Sequence, residues 1–168
     1  ESFPTVSPGT FRLEEFQPGT AASVAVLCGP DSPFVLPACR QVLAEDGSFT
    51  YLGGQVPLDE PLRSRAEQLA LQVANSLPDC RGYIGVDMVL GPTAKCDAVI
   101  ELNPRVTTSY VGLRRLARRN LALAMLAVWP PRFSRSSATL AVPVVARFTV
   151  NTSPALGGTA KPVPWPRV

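Results

Sequence analysis

Histidine is absent from the 168-residue sequence, and its four cysteines form no Cys-x-x-Cys pair. Catalysis by Ser-His or Cys-His groups is therefore excluded, and the usual ligand sets of zinc sites are not available. The cysteines stand mostly among apolar residues, which predicts small, buried, reduced thiols at Cys28, Cys39, Cys80 and Cys96. We therefore expect a reducing, cytoplasmic compartment.

Long apolar runs and a strong net charge are also missing. The longest apolar candidate, Leu121 to Trp129, is far shorter than the roughly 18 residues that a membrane span needs. The formal charge of +3 is too small to indicate nucleic acid by itself. We expect neither a membrane nor a nucleic acid among the partners. With 46% apolar and 17% charged residues, the chain has the composition of a packed domain.

One stretch is locally basic, because four arginines stand close together at Arg114, Arg115, Arg118 and Arg119. Like charges four positions apart on a helix destabilise it slightly. Two interpretations stay open, a solvated helix face and a contact to an anionic partner. A nucleic-acid binder that used this face would show a steep salt dependence of its affinity.

Turn residues and apolar periodicity predict an α+β fold built on an antiparallel β-sheet. Four strands come first, with Gly19 in a turn and Pro37 as an edge or bulge signal, at residues 11–16, 22–29, 34–43 and 49–57. A helix follows, with Asp59 as its N-cap and Pro78 as its stop. Strands 83–90 and 97–102 come next, then a second helix from about Ser109 to Val128. We expect these two main helices to pack on the sheet.

The predicted organisation along the chain has three parts. Residues 1–10 are a loop, residues 11–130 are the folded subdomain, and residues 131–168 are a Pro-rich linker with a candidate strand at 138–150 and a loose tail. The sequence opens at Glu1 rather than at a methionine. We therefore expect a processed protein or a fragment of a longer one.

Polar side chains interrupt two strands that are otherwise apolar. If the hairpin between them is centred near Ala94, Asp87 pairs with Glu101, and Asn103 shares the face of Glu101. Two opposed carboxylates repel each other unless a cation lies between them, and carboxylate and amide oxygens suit Mg²⁺ or Mn²⁺. Magnesium also binds phosphate oxygens, so a nucleotide is the natural ligand. The alternative is a pair of solvated acids.

Three stretches, "LEEFQPGTAASVAVL", "GYIGVDMVL" and "AVIELNPR", together resemble the C-terminal half of an ATP-grasp ligase over residues 11–128. Their order and spacing also resemble D-alanine–D-alanine ligases. The string "NPRVTTSYVGLRR" resembles a smaller ATP-grasp subgroup that includes the tyramine–glutamate ligases. The resemblance implies the C-terminal ATP-grasp subdomain as the fold. As the activity it implies a carboxylate–amine ligase that uses ATP and Mg²⁺ (or Mn²⁺) and works through an acyl phosphate.

The resemblance also implies a role for each matching residue. Asp87, Glu101 and Asn103 would be metal ligands, and Arg105 would stabilise phosphate charge. The adenine would contact four residues before the first turn, namely Glu14, Glu15, Phe16 and Gln17. Either the carboxylate substrate or the capping of the second helix would engage Thr107, Thr108, Ser109 and Tyr110.

Two departures from the resemblance bear on the predicted ribose contact and on the predicted substrate. Ala21 stands where many relatives carry an acidic residue for the ribose, and Gly85 stands where D-alanine–D-alanine ligases carry an arginine, which argues against D-alanine. The N-terminal half of such an enzyme would precede Glu1. We therefore expect small carboxylate and amine substrates, and a missing N-terminal half or another chain as partner. The alternative is a non-catalytic half-domain that binds a nucleotide or a partner.

Overall fold

The computed structural model describes residues 14–30, 32–117 and 120–128, and the backbone of residues 146–149. The predicted loop 1–10 and residues 11–13 of the first predicted strand lie outside the described residues. So do residues 131–145 and 150–168, which include most of the candidate strand and the whole predicted tail.

Seven strands form one antiparallel sheet in the described part of the chain. They are β1 (Thr20–Cys28), β2 (Phe34–Val35), β3 (Cys39–Leu43), β4 (Tyr51–Val56), β5 (Gly82–Leu90), β6 (Ala98–Asn103) and β7 (Ala146–Thr149). Their order is β6-β5-β1-β3-β4-β7, and β2 pairs with β1. The predicted α+β class is confirmed. The valine-rich β1 is central, because it pairs with β5 on one side and with β3 on the other.

The first helix, α1 (Leu62–Ser76), covers one face of the sheet. It buries three alanines at four-residue spacing, Ala66, Ala70 and Ala74, and such small side chains allow close packing on the strands. The predicted Asp59 cap is wrong, because the Glu60 carboxylate accepts the hydrogen bond from the Ser64 N–H (3.2 Å). The helix ends where predicted, since Leu77 before Pro78 is extended.

Two short helices, α2 (Tyr110–Leu116) and α3 (Leu121–Val128), cover part of the opposite face. The prediction of one continuous helix over this range is wrong. Ala117 is extended (φ −69°, ψ 124°), and the Asn120 side chain accepts a hydrogen bond from the Ala122 N–H (2.9 Å), so a new helix begins there. No helix among the described residues is long and apolar enough to cross a membrane.

Two strand predictions also need correction. The predicted strand 34–43 is divided into β2 and β3 around Pro37, where the Ala38 N–H donates instead to Glu67 Oε1 on α1 (3.2 Å). Glu14–Phe16, the described end of the first predicted strand, has no regular secondary structure. Here the chain reaches β1 through Gly19, whose position leaves no room for a Cβ beside the Leu90 carbonyl.

The cysteine prediction holds for two of the four thiols. Cys28 and Cys39 are buried in the two core clusters, and all four are free thiols. Cys80 is only partly buried. Cys96 is exposed because it lies in a 3₁₀ turn (Ala94–Cys96) at the tip of the β5–β6 hairpin.

An ion pair fastens this hairpin to α1. The Arg65 guanidinium donates to both oxygens of Asp97, and Asp97 Oδ1 also accepts from the Gly91 N–H (3.0 Å). The Asp97 side chain is only 7% exposed, so its charge depends on these partners.

Candidate active site

Asp87 on β5 and Glu101 on β6 pair directly across the hairpin, as the sequence predicts. Val86 and Met88, the neighbours of Asp87, belong to the core beneath α1. Because strand side chains alternate between faces, Asp87 points to the opposite face of the sheet. A bulge between Asp87 and Met88 shifts the register by one residue, because Met88 pairs with Val99, and it thereby places Asp87 opposite Glu101.

Asn103 brings the two carboxylates together. It is 5% exposed, and its Nδ2 donates to Asp87 Oδ2 (3.0 Å) and to Glu101 Oε2 (3.2 Å). From β3, Gln41 Nε2 donates to the other oxygen of Asp87 (3.1 Å). The three predicted metal ligands therefore converge, and both oxygens of Asp87 already accept a hydrogen bond.

The pKa of Asp87 is raised above its usual range. Burial is the main cause, because it removes the carboxylate from water, and the nearby charge of Glu101 raises the pKa further. The hydrogen bond from Gln41, the nearby Ser23 hydroxyl and the charge of Arg105 act in the opposite direction and lower the pKa of Asp87. A carboxylate held in this way is costly to keep charged without a cation.

The donor set fits a hard divalent cation. The positively polarised amide group of Asn103 lies between two carboxylates, where a cation would find oxygen ligands if the amide turned its oxygen inward. In the described part of the chain, no group of three or more His, Cys, Asp or Glu side chains is arranged to hold a metal ion. A cation here would therefore rely on two carboxylates, one amide and oxygens from a bound ligand.

A cavity of about 300 Å³ opens beside Asp87 on the face that α2 and α3 leave uncovered. The segment after β6 forms one wall, with Arg105, Thr107, Thr108 and Ser109. The opposite wall comes from β1, β3 and β4, with Ser23, Cys39, Gln41, Leu43 and Tyr51. The structure thus brings most of the predicted phosphate and substrate residues to Asp87, the first of the predicted metal ligands.

The wall after β6 is held by hydroxyl groups. Thr107 Oγ1 and Ser109 Oγ are 2.9 Å apart, and the buried Tyr83 hydroxyl lies 3.1 Å from Thr107 Oγ1. Helix capping does not explain Ser109, because it precedes α2 without a side-chain cap hydrogen bond. Tyr110 lies apart from the cavity: it begins α2 and packs against the core cluster on that face.

The predicted adenine residues are not part of this cavity. Glu14, Glu15 and Phe16 are exposed, and Gln17 is partly buried, in the segment before β1. The Phe16 ring contacts the ring of Phe49 in the β3–β4 turn, with centroids 6.1 Å apart. This places the segment at the end of the sheet where β1 begins and β3 ends.

Sequence reasoning missed Ser23, Gln41 and Tyr51, which line the cavity from β1, β3 and β4. Ser23 gives a local signal, because it is the one hydroxyl residue within the apolar run 21–28. Gln41 and Tyr51 give none, since their place beside Asp87 follows from the strand order.

Known proteins share sequence similarity with this chain. A family model described as an ATP-grasp domain matches residues 7–109. Tyramine–L-glutamate ligases from Methanocaldococcus fervens and Methanocaldococcus jannaschii are 30% and 29% identical over 104 residues, which is 62% of this chain. The chain spans about a third of the length of these relatives, 33% and 32%.

Solved structures show the same fold at lower identity. A protein assigned to the ATP-grasp superfamily from Archaeoglobus fulgidus aligns with a TM-score of 0.58 and 23% identity, over 82% of this chain and 48% of that one. A carboxyaminoimidazole ribonucleotide synthase from Aspergillus clavatus, complexed with ATP, aligns with a TM-score of 0.60 and 17% identity, over 76% and 33%. The sheet and its helices thus have the ATP-grasp fold. The chain belongs to the ATP-grasp family, and the resemblance seen in its motifs is confirmed.

Proposed function

We propose that this chain is part of an ATP- and Mg²⁺-dependent ligase that joins a small carboxylate to an amine. The observation that carries the proposal is the pairing of the half-buried Asp87 with the exposed Glu101, bridged by the buried Asn103 amide. The similarity to tyramine–L-glutamate ligases supports an amino-acid carboxylate and an amine as the substrate class. Because all four cysteines are free thiols, we also propose a cytoplasmic location.

The reaction would proceed in two steps. A carboxylate oxygen attacks the γ-phosphorus of ATP, which gives an acyl phosphate and ADP. The amine then attacks the acyl carbon, the bond to the phosphate oxygen breaks, and inorganic phosphate leaves as the amine loses a proton. Such chemistry needs positioning and charge stabilisation more than a protein nucleophile, which suits a sequence without histidine.

The proposed roles follow the two walls of the cavity. Asp87, Glu101 and Asn103 would hold Mg²⁺ or Mn²⁺, which supplies charge neutralisation for the phosphates when bound. Arg105 lines the cavity and lies close enough to lower the pKa of Asp87, so its guanidinium is suited to phosphate charge. The hydroxyls that would contact the carboxylate substrate are those of Thr107, Thr108 and Ser109.

The adenine would bind at the end of the sheet where β1 begins. Glu14 or Glu15 would accept from its amino group, and Phe16 and Gln17 would lie along the base. Phe16 is 69% exposed, so its ring is accessible to such a ligand. The rest of the nucleotide site would come from the missing N-terminal half, either in a longer form of this protein or in another chain.

A non-catalytic half-domain is the second candidate. It would bind nucleotide or a partner without turnover. One measurement separates the two candidates, which is the ligation activity of this chain and of any longer gene product that contains it.

Calorimetry of ATP binding, with and without Mg²⁺, tests the proposal on this chain and on any longer gene product. We expect binding that requires Mg²⁺ and is lost in Glu101→Gln. The matched control is Glu60→Gln, which removes the same charge from an exposed site at the start of α1. Absence of Mg²⁺-dependent binding in both the chain and the longer product would refute the ligase.

A further inference from the structure

The Ser23 hydroxyl has no hydrogen-bond partner although the side chain is buried. It lies in the middle of β1, where it pairs with Asp87 of β5 and with Cys39 of β3, and it is 3% exposed. Its Oγ is the buried side-chain oxygen without a hydrogen-bond partner in the described part of the chain. The hydroxyl lies close enough to Asp87 to lower the pKa of that carboxyl, but no well-formed hydrogen bond joins the two side chains, and the Asp87 oxygens accept from Gln41 and Asn103 instead.

An unpaired buried hydroxyl is unfavourable for folding, because it gives up its hydrogen bonds to water and gains none. The strand offers an obvious substitute, since its other residues from Ala21 to Cys28 are all apolar. Alanine at this position would fit the same space and leave no polar group unpaired. The serine therefore has a use that the ligand-free fold does not reveal.

The cavity shows where this hydroxyl points. Ser23 lines it together with the neutral side chains of Gln41 and Tyr51, and the Asp87 carboxyl, proposed above as a metal ligand, lies beside them. The pKa of Tyr51 is raised by burial and by the neighbouring Cys39 and Asp87, so the phenol stays a hydrogen-bond donor. Arg105 lies in the other wall. A ligand between the walls meets hydroxyl donors on one side and a guanidinium on the other, which suits an anionic oxygen.

We propose that Ser23 is a substrate-binding residue, whose hydroxyl donates a hydrogen bond to an anionic oxygen held between β1 and Arg105. The inference rests on the proposed function, because it places the substrate in the cavity beside Asp87. Two substrates carry such an oxygen, the γ-phosphate of ATP and the carboxylate that it activates. Binding measurements with each ligand separate these two sources.

The test compares Ser23→Ala with the matched control Ser76→Ala, which alters an exposed serine at the end of α1. Calorimetry measures Mg²⁺-ATP binding, and separately L-glutamate binding in the presence of Mg²⁺ and ADP. We expect Ser23→Ala to weaken one of them about tenfold, since it removes a hydrogen bond to a charged group. Ser76→Ala should bind both as the wild type does.

The Tm of the ligand-free chain gives a second readout. If the hydroxyl stabilised the fold, its removal would lower the Tm. Because the hydroxyl is unpaired, Ser23→Ala should keep its Tm or raise it by about 2 to 6 °C. Ser23→Cys, which keeps nearly the same volume but is a weak donor, should lose affinity in the same way. Weaker binding of either ligand in a chain of undiminished Tm supports the inference.

Three results would overturn the inference. Unchanged affinity for both ligands in Ser23→Ala would do so while leaving the proposed function intact. A lower Tm with unchanged affinities would assign the hydroxyl to the fold, and an effect confined to Mg²⁺ binding without either ligand would assign it to the metal site. If the wild type binds neither ligand, the proposed function and this inference fail together.

Discussion

Gly85 of β5 lies directly against Thr107 of the loop after β6. A Cβ at position 85 would overlap the Thr107 methyl group. The loop lies this close to the strand because Gly85, which pairs with Asn103 on β6 and Ala25 on β1, has no side chain. The Thr107 hydroxyl in turn contacts Tyr83 and Ser109. The wall of the cavity that carries Arg105 therefore depends on a glycine.

Gly85→Ala should displace that wall. We expect a loss of about 1–3 kcal/mol in the free energy of unfolding, because the added methyl group overpacks a buried contact, and weaker Mg²⁺-ATP binding. Urea unfolding and calorimetry measure the two effects. The double variant Gly85→Ala/Thr107→Ser removes the clashing methyl group but keeps the hydroxyl, so it should recover most of both losses. No recovery would contradict the contact.

Gln41→Leu should weaken metal binding. Gln41 donates to Asp87 Oδ1 (3.1 Å), and groups that orient metal ligands commonly change metal affinity by about 10- to 100-fold. Titration of Mn²⁺, followed by its electron paramagnetic resonance signal, would measure the change. Gln68→Leu, on the exposed surface of α1, is the matched control. Equal Mn²⁺ affinity in the two variants would show that Gln41 does not position Asp87.

Asp97→Asn should destabilise the fold rather than the site. It leaves the partly buried Arg65 guanidinium without its charge partner, which we expect to cost about 3–5 kcal/mol in the free energy of unfolding. Urea unfolding measures it, with Glu60→Gln as a control that breaks an exposed ion pair and should change stability little. A similar stability in both variants would mean that the hairpin is fastened by other contacts.

The four thiols should react with iodoacetamide in an order set by burial and pKa. Burial raises the pKa of Cys28 and of Cys39 to about 12, so at pH 8 almost none of either thiol is the reactive thiolate. Cys96 is exposed and should be alkylated first, followed by Cys80. Mass spectrometry of the labelled peptides reads the order. If Cys39 of the folded chain were alkylated as fast as Cys96, the predicted order would be wrong.

The raised thiol pKa values also predict the sign of a pH effect on stability. An unfolded cysteine has a pKa of about 8.5, so the folded chain keeps these protons more tightly than the unfolded chain. The stabilisation is fully present below about pH 8.5 and is lost as the pH rises toward 12. Urea unfolding between pH 7 and 10.5 should show the decline, and Cys39→Ala should reduce its slope.

The sequence predicted the carboxylate pair because the relevant information is local. Strands 83–90 and 97–102 are apolar runs joined by a short turn, so their antiparallel pairing follows from the turn. The exact register does not follow from it, because a bulge between Asp87 and Met88 places Asp87 opposite Glu101 rather than Ile100. The bounds of α1 could be predicted for the same reason, because the apolar periodicity and Pro78 specify them locally.

The wrong and missed predictions have two causes, which are competing local signals and contacts between strands far apart in the sequence. Apolar residues lie at helical spacing on both sides of the break, at Leu113, Leu116, Leu121 and Ala124, so periodicity missed the break that the Asn120 side chain stabilises. Ser23 and Gln41 reach Asp87 only because β1 lies between β5 and β3, and nothing in the residues near position 23 or 41 specifies that order.

The central place of β1 also sets the order in which the cavity can form during synthesis. The hairpins β3–β4 and β5–β6 each assemble from neighbouring residues, but neither contains both walls. β1 emerges from the ribosome first, yet its pairing with β5 must wait for about sixty more residues. The cavity of a nascent chain is therefore incomplete until Ser109 has been translated.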